Sequence, residues 1–278
     1  MFKKLLMKGI LLTVVSFCTL FCSACTSDID DAVKFYKNGV IKDSLKNYKG
    51  AIEDFNKAIQ LNPKYAEAYN SKGKTYHELE EYKTAIKNYD MAIEINPKYA
   101  KAYLNRAISK GMLKKEAEAL ADINIAIDID PKNAKAYKER GVADFYLGDY
   151  KKAIEDDSEA INIDTGYAEA YFDRGIAKDE LQNYMGAIED YNKAIKLHPD
   201  DSAYFNRGCA KYNLKEYREA IADYNMVINL KPNCASAYIN RGAAEIKLKQ
   251  KRSACSDLNY ALKLGDDRAK EWLEKFCR

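Results

Sequence analysis

One interval governs this chain. Tyr69, Tyr103, Tyr137 and Tyr171 follow one another every 34 residues, and self-similarity at a fixed period of that length marks an array of supersecondary units. The units run 32–65, 66–99, 100–133, 134–167, 168–200, 201–234 and 235–268, the fifth one residue short. Position 4 is aromatic in every unit: Phe35, Tyr69, Tyr103, Tyr137, Tyr171, Tyr204 and Tyr238. Position 8 is Gly except for Ala107, position 14 is always Leu, and position 20 is always Ala. Position 27 is Ala except for Val227, and Pro63, Pro97, Pro131, Pro199 and Pro232 recur at position 32.

These spacings have a physical reading. Positions 4, 8 and 14 fall on one face of a first helix, and 20, 24, 27 and 28 on one face of a second. Small residues at 8, 20 and 27 let the helix axes approach, and Pro at 32 stops the second helix. Each unit is therefore expected to be a helical hairpin that cannot bury its apolar face alone, so neighbours must stack. Composition agrees: 5 Pro and 13 Gly against Ala-rich, Lys/Glu-rich stretches favour helices over short strands and turns.

On these residues the chain resembles the tetratricopeptide repeat (TPR) family across all seven units. The resemblance implies an all-α fold, a right-handed superhelical solenoid of seven hairpins over 32–268. The chain departs from the family pattern at position 7, where Lys72, Arg106, Arg140, Arg174, Arg207 and Arg241 stand in place of the usual Leu. Asp157 occupies the aromatic or aliphatic position 24, and Thr165 and Asp266 replace Pro. After the seventh unit, Ala269 to Arg278 continues the register with Trp272 at position 4. This segment is expected to be a capping helix over the last apolar face.

The start of the chain reads as a targeting segment. Lys3, Lys4 and Lys8 precede a 13-residue apolar stretch from Gly9 to Phe21, too short to span a membrane, and Cys22-Ser23-Ala24 then supplies small residues before Cys25. Residues 1–24 are expected to be a signal peptide. Phe21-Cys22-Ser23-Ala24-Cys25 resembles a bacterial lipobox, which implies a lipidated Cys25 and residues 25–31 as the linker of a lipid anchor. Cys22 departs from the usual Leu, so cleavage after Ala24 by an ordinary signal peptidase is the competing reading. The resemblance implies export and a membrane-anchored lipoprotein of the bacterial envelope, on its periplasmic side or at the cell surface.

Charge and chemistry narrow the function. Setting aside the three lysines of the first 24 residues leaves 42 basic against 42 acidic residues. A balanced chain has no field to draw in nucleic acid. His77 and His198 lie far apart and no CxxC pair occurs after Cys25, so no metal site and no cofactor is expected. Asp or Asn recurs at position 23 (Asp54, Asn88, Asp122, Asp156, Asp190, Asp223, Asp257) opposite the basic residues at position 7. A group present once per unit reads as a ladder of charge-assisted contacts, not as a catalytic pair. No enzyme is expected. Asp157 either marks a site or is a local irregularity. Cys255 and Cys277 are a possible disulfide pinning the cap, or they and Cys209 and Cys234 are free thiols.

The surface left for function is the side of the first helices away from the packing stripe, used by the family as a concave groove. Position 5 reads Tyr36, Asn70, Leu104, Lys138, Phe172, Phe205 and Ile239, and position 12 adds Phe145 and Tyr212. Such a strip suits a protein or peptide ligand laid along it. The expected function is a non-enzymatic protein-interaction scaffold of the envelope. The alternatives are a pilotin-like assembly factor for an outer-membrane or pilus complex, and a carbohydrate-binding or cell-wall-binding lipoprotein using the same aromatic residues.

Overall fold

A computed structural model describes residues 28–278. Signal cleavage and the lipidation of Cys25 fall outside the described residues. The chain divides into two compact units, one ending at Pro131 and the other running Lys132–Arg278. The first holds α1 (28–44), α2 (Tyr48–Leu61), α3 (Ala66–Glu78), α4 (Tyr82–Ile95), α5 (Ala100–Met112) and α6 (Glu116–Ile129). The second holds α7 (Ala134–Tyr146), α8 (Tyr150–Ile163), α9 (Ala168–Glu180), α10 (Tyr184–Leu197), α11 (Asp201–Asn213), α12 (Tyr217–Leu230), α13 (Ala235–Lys247), α14 (Lys251–Lys263) and α15 (Arg268–Phe276). Three hairpins thus lie in the first unit, and four hairpins with the cap lie in the second. Residues 28–31, the part of the expected linker that is described, are already helical and open α1.

Four of the hairpins close on alanine, glycine and one ring. Ala51, Ala85, Ala153, Ala187, Ala220 and Ala254 at position 20 are fully or almost fully buried, which is what lets paired helices come close. Gly73 is required by its neighbour. A Cβ there would lie 2.6 Å from the Tyr89 ring at position 24, and the same ring-on-glycine contact recurs at Gly39 with Phe55, Gly175 with Tyr191 and Gly208 with Tyr224. Asn47, Asp149 and Asn183 cap the second helices by accepting hydrogen bonds from the backbone N–H of Gly50, Lys152 and Gly186.

The leucine column differs from expectation. Leu at position 14 sits at the C-terminal cap of the first helix instead of on its packing face, and Leu45, Leu79, Leu147 and Leu181 are exposed, Leu45 by 73%. The chain has already begun to turn there. The next residue, position 15, adopts the left-handed conformation in every hairpin: Lys46, Glu80, Lys114, Gly148, Gln182, Lys215 and Lys249 all have φ between 58° and 82°. This reversal swings the chain into the second helix and directs the leucine outward.

Candidate functional site: the first-helix face and the Asp157 cavity

The ladder at positions 7 and 23 is built inside the third to seventh hairpins and, in four of these, extends to the one before. Arg106, Arg140, Arg174, Arg207 and Arg241 each donate two hydrogen bonds to the carboxylate 16 residues on, at Asp122, Asp156, Asp190, Asp223 and Asp257. The same guanidinium lies 5.3–5.6 Å from the ring at position 4, so the aromatic of that column is a plate under an arginine. Further nitrogens reach position 25 of the preceding hairpin: Arg106 donates to Asp90, Arg174 to Ser158, Arg207 to Asn192 and Arg241 to Asn225. Lys110, Lys178 and Lys211 at position 11 add a second cation to the buried aspartate. In the first hairpin Lys42 pairs with Asp54 at 2.6 Å.

Two hairpins invert position 11. Asp144 and Glu245 stand there, both buried. Burial pushes each carboxyl above its usual range, and the neighbouring Asp156 and Asp257 push it further.

Position 5 is a packing column more than an open groove. Asn70, Leu104 and Ile239 are buried, which corrects their assignment as exposed anchors. Side chains at position 6 of the following hairpin bond to this column at Tyr36, Asn70 and Lys138. Asn105 donates to Asn70 at 2.9 Å, Ser71 donates to Tyr36 at 3.4 Å, and Lys138 faces Asp173 at 3.7 Å. The amide of Asn240 is likewise turned inward, to the Cys209 sulfur at 3.4 Å. Tyr36, Lys138, Phe172, Phe205, Phe145 and Tyr212 remain half-buried. Phe172 and Phe205 lean on Tyr191 and Tyr224 with ring centroids 6.0 Å apart, while Phe145 and Tyr212 lean on Tyr150 and Tyr217 at 5.1 and 5.2 Å. Beside Phe172, a cavity of about 250 Å³ is lined by Glu169, Ala194, His198, Asp200 and Ala203.

The fourth hairpin breaks the ring-on-glycine rule. Position 24 is Asp157, 1% exposed, and its Oδ1 has no hydrogen-bond partner among the described residues. A second cavity, of about 110 Å³, opens beside it between Gly141, Val142, Phe145, Tyr146, Asp173 and Ile176. Burial pushes the Asp157 carboxyl up to about 9, and the Asp173 charge adds to that. The sequence signalled the place through the broken column, but not that a hole would accompany it.

A disulfide joins Cys255 on α14 to Cys277 beyond α15, and Cys209 and Cys234 are free. Trp272 and Leu273 of α15 pack against the buried Ile239, Leu258 and Ala261. That contact makes α15 a cover for the last hairpin.

Comparison with known proteins places the architecture. The family model described as tetratricopeptide repeat matches residues 66–99, 168–201 and 202–234, and a further TPR repeat model matches 44–80. No curated protein sequence matches the chain. Among solved structures, PilF of Pseudomonas aeruginosa is similar with a TM-score of 0.68 at 20% identity, over 76% of this chain and 97% of that one. A tetratricopeptide repeat protein from Parabacteroides merdae ATCC 43184 gives 0.63 at 20% identity, over 90% and 100%. YrrB, described as a TPR protein with an unusual peptide-binding site, gives 0.51 at 22% identity, over 66% and 94%. The period of 34, the hairpins closed on glycine and ring, and these matches all lead to one assignment: the chain belongs to the tetratricopeptide repeat family.

Proposed function

We propose that this chain is a non-enzymatic scaffold of the bacterial cell envelope, held to a membrane through lipidated Cys25, that binds a peptide or protein along its first-helix face. The observation that carries the reading is the set of half-buried aromatic residues on that face in the Lys132–Arg278 unit, Phe145, Phe172, Phe205 and Tyr212, with the 250 Å³ cavity beside Phe172. Rigid aromatic side chains next to a concavity give large contact area at small entropic cost. That YrrB carries a peptide-binding site on a similar fold supports the choice of a polypeptide ligand.

The test uses the chain from Thr26 onward as bait in a solubilised envelope extract, beside a Phe172→Asp/Phe205→Asp variant matched in helicity. A polypeptide retained by the first and lost by the second supports the reading. Equal retention moves the contact to another face, and no retained polypeptide overturns the scaffold. Anchoring is tested separately in cells fed an alkyne-labelled fatty acid. Label is expected on the wild-type chain and absent from Cys25→Ser; label on both, or on neither, overturns the lipoprotein assignment.

A further inference from the structure

The column at position 24 reads Phe55, Tyr89, Ile123, Asp157, Tyr191, Tyr224 and Leu258. Where it is Phe or Tyr, the ring lies across the glycine of position 8 and fills the space between the paired helices. In the fourth hairpin the glycine is kept, yet the side chain facing it is the short Asp157. A Cβ on Gly141 would stand 3.1 Å from Asp157 Oδ1. The space of the missing ring persists as the 110 Å³ cavity, walled by Val142, Phe145 and Ile176, with the largely exposed Tyr146 at its edge.

A hole of this kind with a carboxylate in it is doubly costly. Void space destabilises a core, and a buried carboxyl oxygen without a hydrogen-bond donor forfeits its solvation. Lys138 and Arg174 offset the charge only in part, because each is engaged elsewhere. Lys138 is shared between Glu139 at 3.5 Å and Asp173 at 3.7 Å, while Arg174 is committed to Asp190 and Arg140 to Asp156. The pocket therefore carries more carboxyl than cation, together with apolar and aromatic walls. A neutral apolar guest would fill the hole and leave Oδ1 bare. A divalent metal would want six or more oxygens, which two carboxylates and aliphatic walls do not supply. The volume is below the roughly 150 Å³ of an apolar cavity that admits benzene, so a narrow chain fits better than a ring.

We propose that this cavity receives the end of a lysine side chain from the bound polypeptide, its methylenes against Val142, Phe145 and Ile176 and its ammonium on Asp157. The proposal deepens the scaffold reading and rests on it for the source of the lysine, though the pocket's chemistry would take any ammonium on an unbranched alkyl stem. Proton linkage follows from the surroundings. Asp157 faces Lys138 on α7, Asp156 on its own α8, and Asp173 and Arg174 on α9, and burial keeps it protonated at neutral pH when the cavity is empty. An entering ammonium displaces that proton to solvent, so affinity rises with pH up to about 9, where the empty site is itself ionised, and falls once the amine titrates near 10.4.

The experiment titrates the full chain with n-butylammonium and with n-butanol, following amide NMR shifts at pH 6.5 and 8, on wild type and Asp157→Asn. Butylammonium is expected to bind saturably and about tenfold more tightly for each pH unit gained. Butanol, and either ligand on Asp157→Asn, should be at least about tenfold weaker, the loss of a charged hydrogen bond. Equal binding of butanol and butylammonium, an unchanged affinity in Asp157→Asn, or no saturable binding overturns the proposal. A pentapeptide with one central lysine, compared with its norleucine analogue, separates the sources: preference for lysine supports the committed occupant, and no preference overturns it. The scaffold reading fails independently. Ammonium binding with no polypeptide retained from the envelope extract would sink the scaffold and leave the pocket, whereas retention without ammonium binding would sink the pocket alone.

Discussion

Arg174 holds Asp190 by two parallel hydrogen bonds, Nε to Oδ2 at 2.9 Å and Nη2 to Oδ1 at 2.6 Å, and reaches Ser158 of the preceding hairpin at 3.0 Å with Nη1. The planar fork of arginine is what permits this double duty, and a lysine could not reproduce it. Asp190 is buried, so removing the arginine strands a carboxylate. Arg174→Met is expected to cost about 2–4 kcal/mol, somewhat below the full penalty for breaking a buried pair because Lys178 still holds Asp190 at 2.7 Å. Adding Asp190→Leu should recover most of that loss. Urea unfolding of the two single variants and the double variant measures both effects.

Asp157 makes stability depend on pH in an unusual direction. Its folded-state value of about 9 lies far above the ~3.9 of an unfolded aspartate, so the native chain binds the extra proton. Its contribution is fully present below pH ~4 and is lost as pH rises toward 9, by about 1.4 kcal/mol per unit. Asp157→Asn is expected to flatten this slope and to be ~2–4 kcal/mol more stable than wild type at pH 7. Thermal unfolding of both chains at pH 5, 6, 7 and 8 reads the slope directly. Parallel curves for the two chains would show that Asp157 is ionised inside the fold.

The left-handed position 15 offers a test at the backbone. Glu80 has φ of 61°, a conformation that costs a non-glycine residue about 1 kcal/mol, whereas Gly148 occupies the same place in the fourth hairpin without that cost. Glu80→Gly is expected to raise stability by ~0.3–1 kcal/mol after its greater unfolded-state entropy is counted. Gly148→Ala should lower it by a similar amount. Differential scanning calorimetry on the two variants gives opposite shifts in Tm.

Closing a loop of 22 residues, the Cys255–Cys277 disulfide ties the cap to the hairpin beneath it. Cys277→Ser is expected to cost about 3 kcal/mol from loop entropy. The loss should be local. Hydrogen exchange should speed up in α15 and α14 while α9 and α10 keep their protection.

Much of this was legible because repetition makes a column readable where a single residue is not. Gly73 alone says little, but glycine at position 8 in six hairpins specified a close helix pair, and Arg106 to Arg241 against Asp122 to Asp257 specified a ladder. What escaped was set by the neighbouring hairpin or by the turn. Position 5 was assigned to open surface, yet the following hairpin's position 6 closes over Asn70, and that offset lies outside the 3.6-residue period. Leu147 satisfies the helical pattern, but the reversal at Gly148 turns it outward. Asp157 was visible as an exception. The cavity was not, because it depends on how far Gly141 and α9 relax around the missing ring.

At the front of four ladder arginines stands a side chain of the preceding hairpin that differs in chemistry but not in position: aspartate before Arg106, serine before Arg174, asparagine before Arg207 and Arg241. Acid, hydroxyl and amide oxygen all accept the same hydrogen bond. A hairpin transplanted elsewhere along the chain would therefore find a usable acceptor wherever it landed. The ladder joins neighbours without recording their order. That order is written in singular places such as the carboxyl at Asp157 and the stitch at Cys255, so shuffled versions of this chain would still assemble as stacks while losing the features that make the fourth and seventh hairpins unlike the rest.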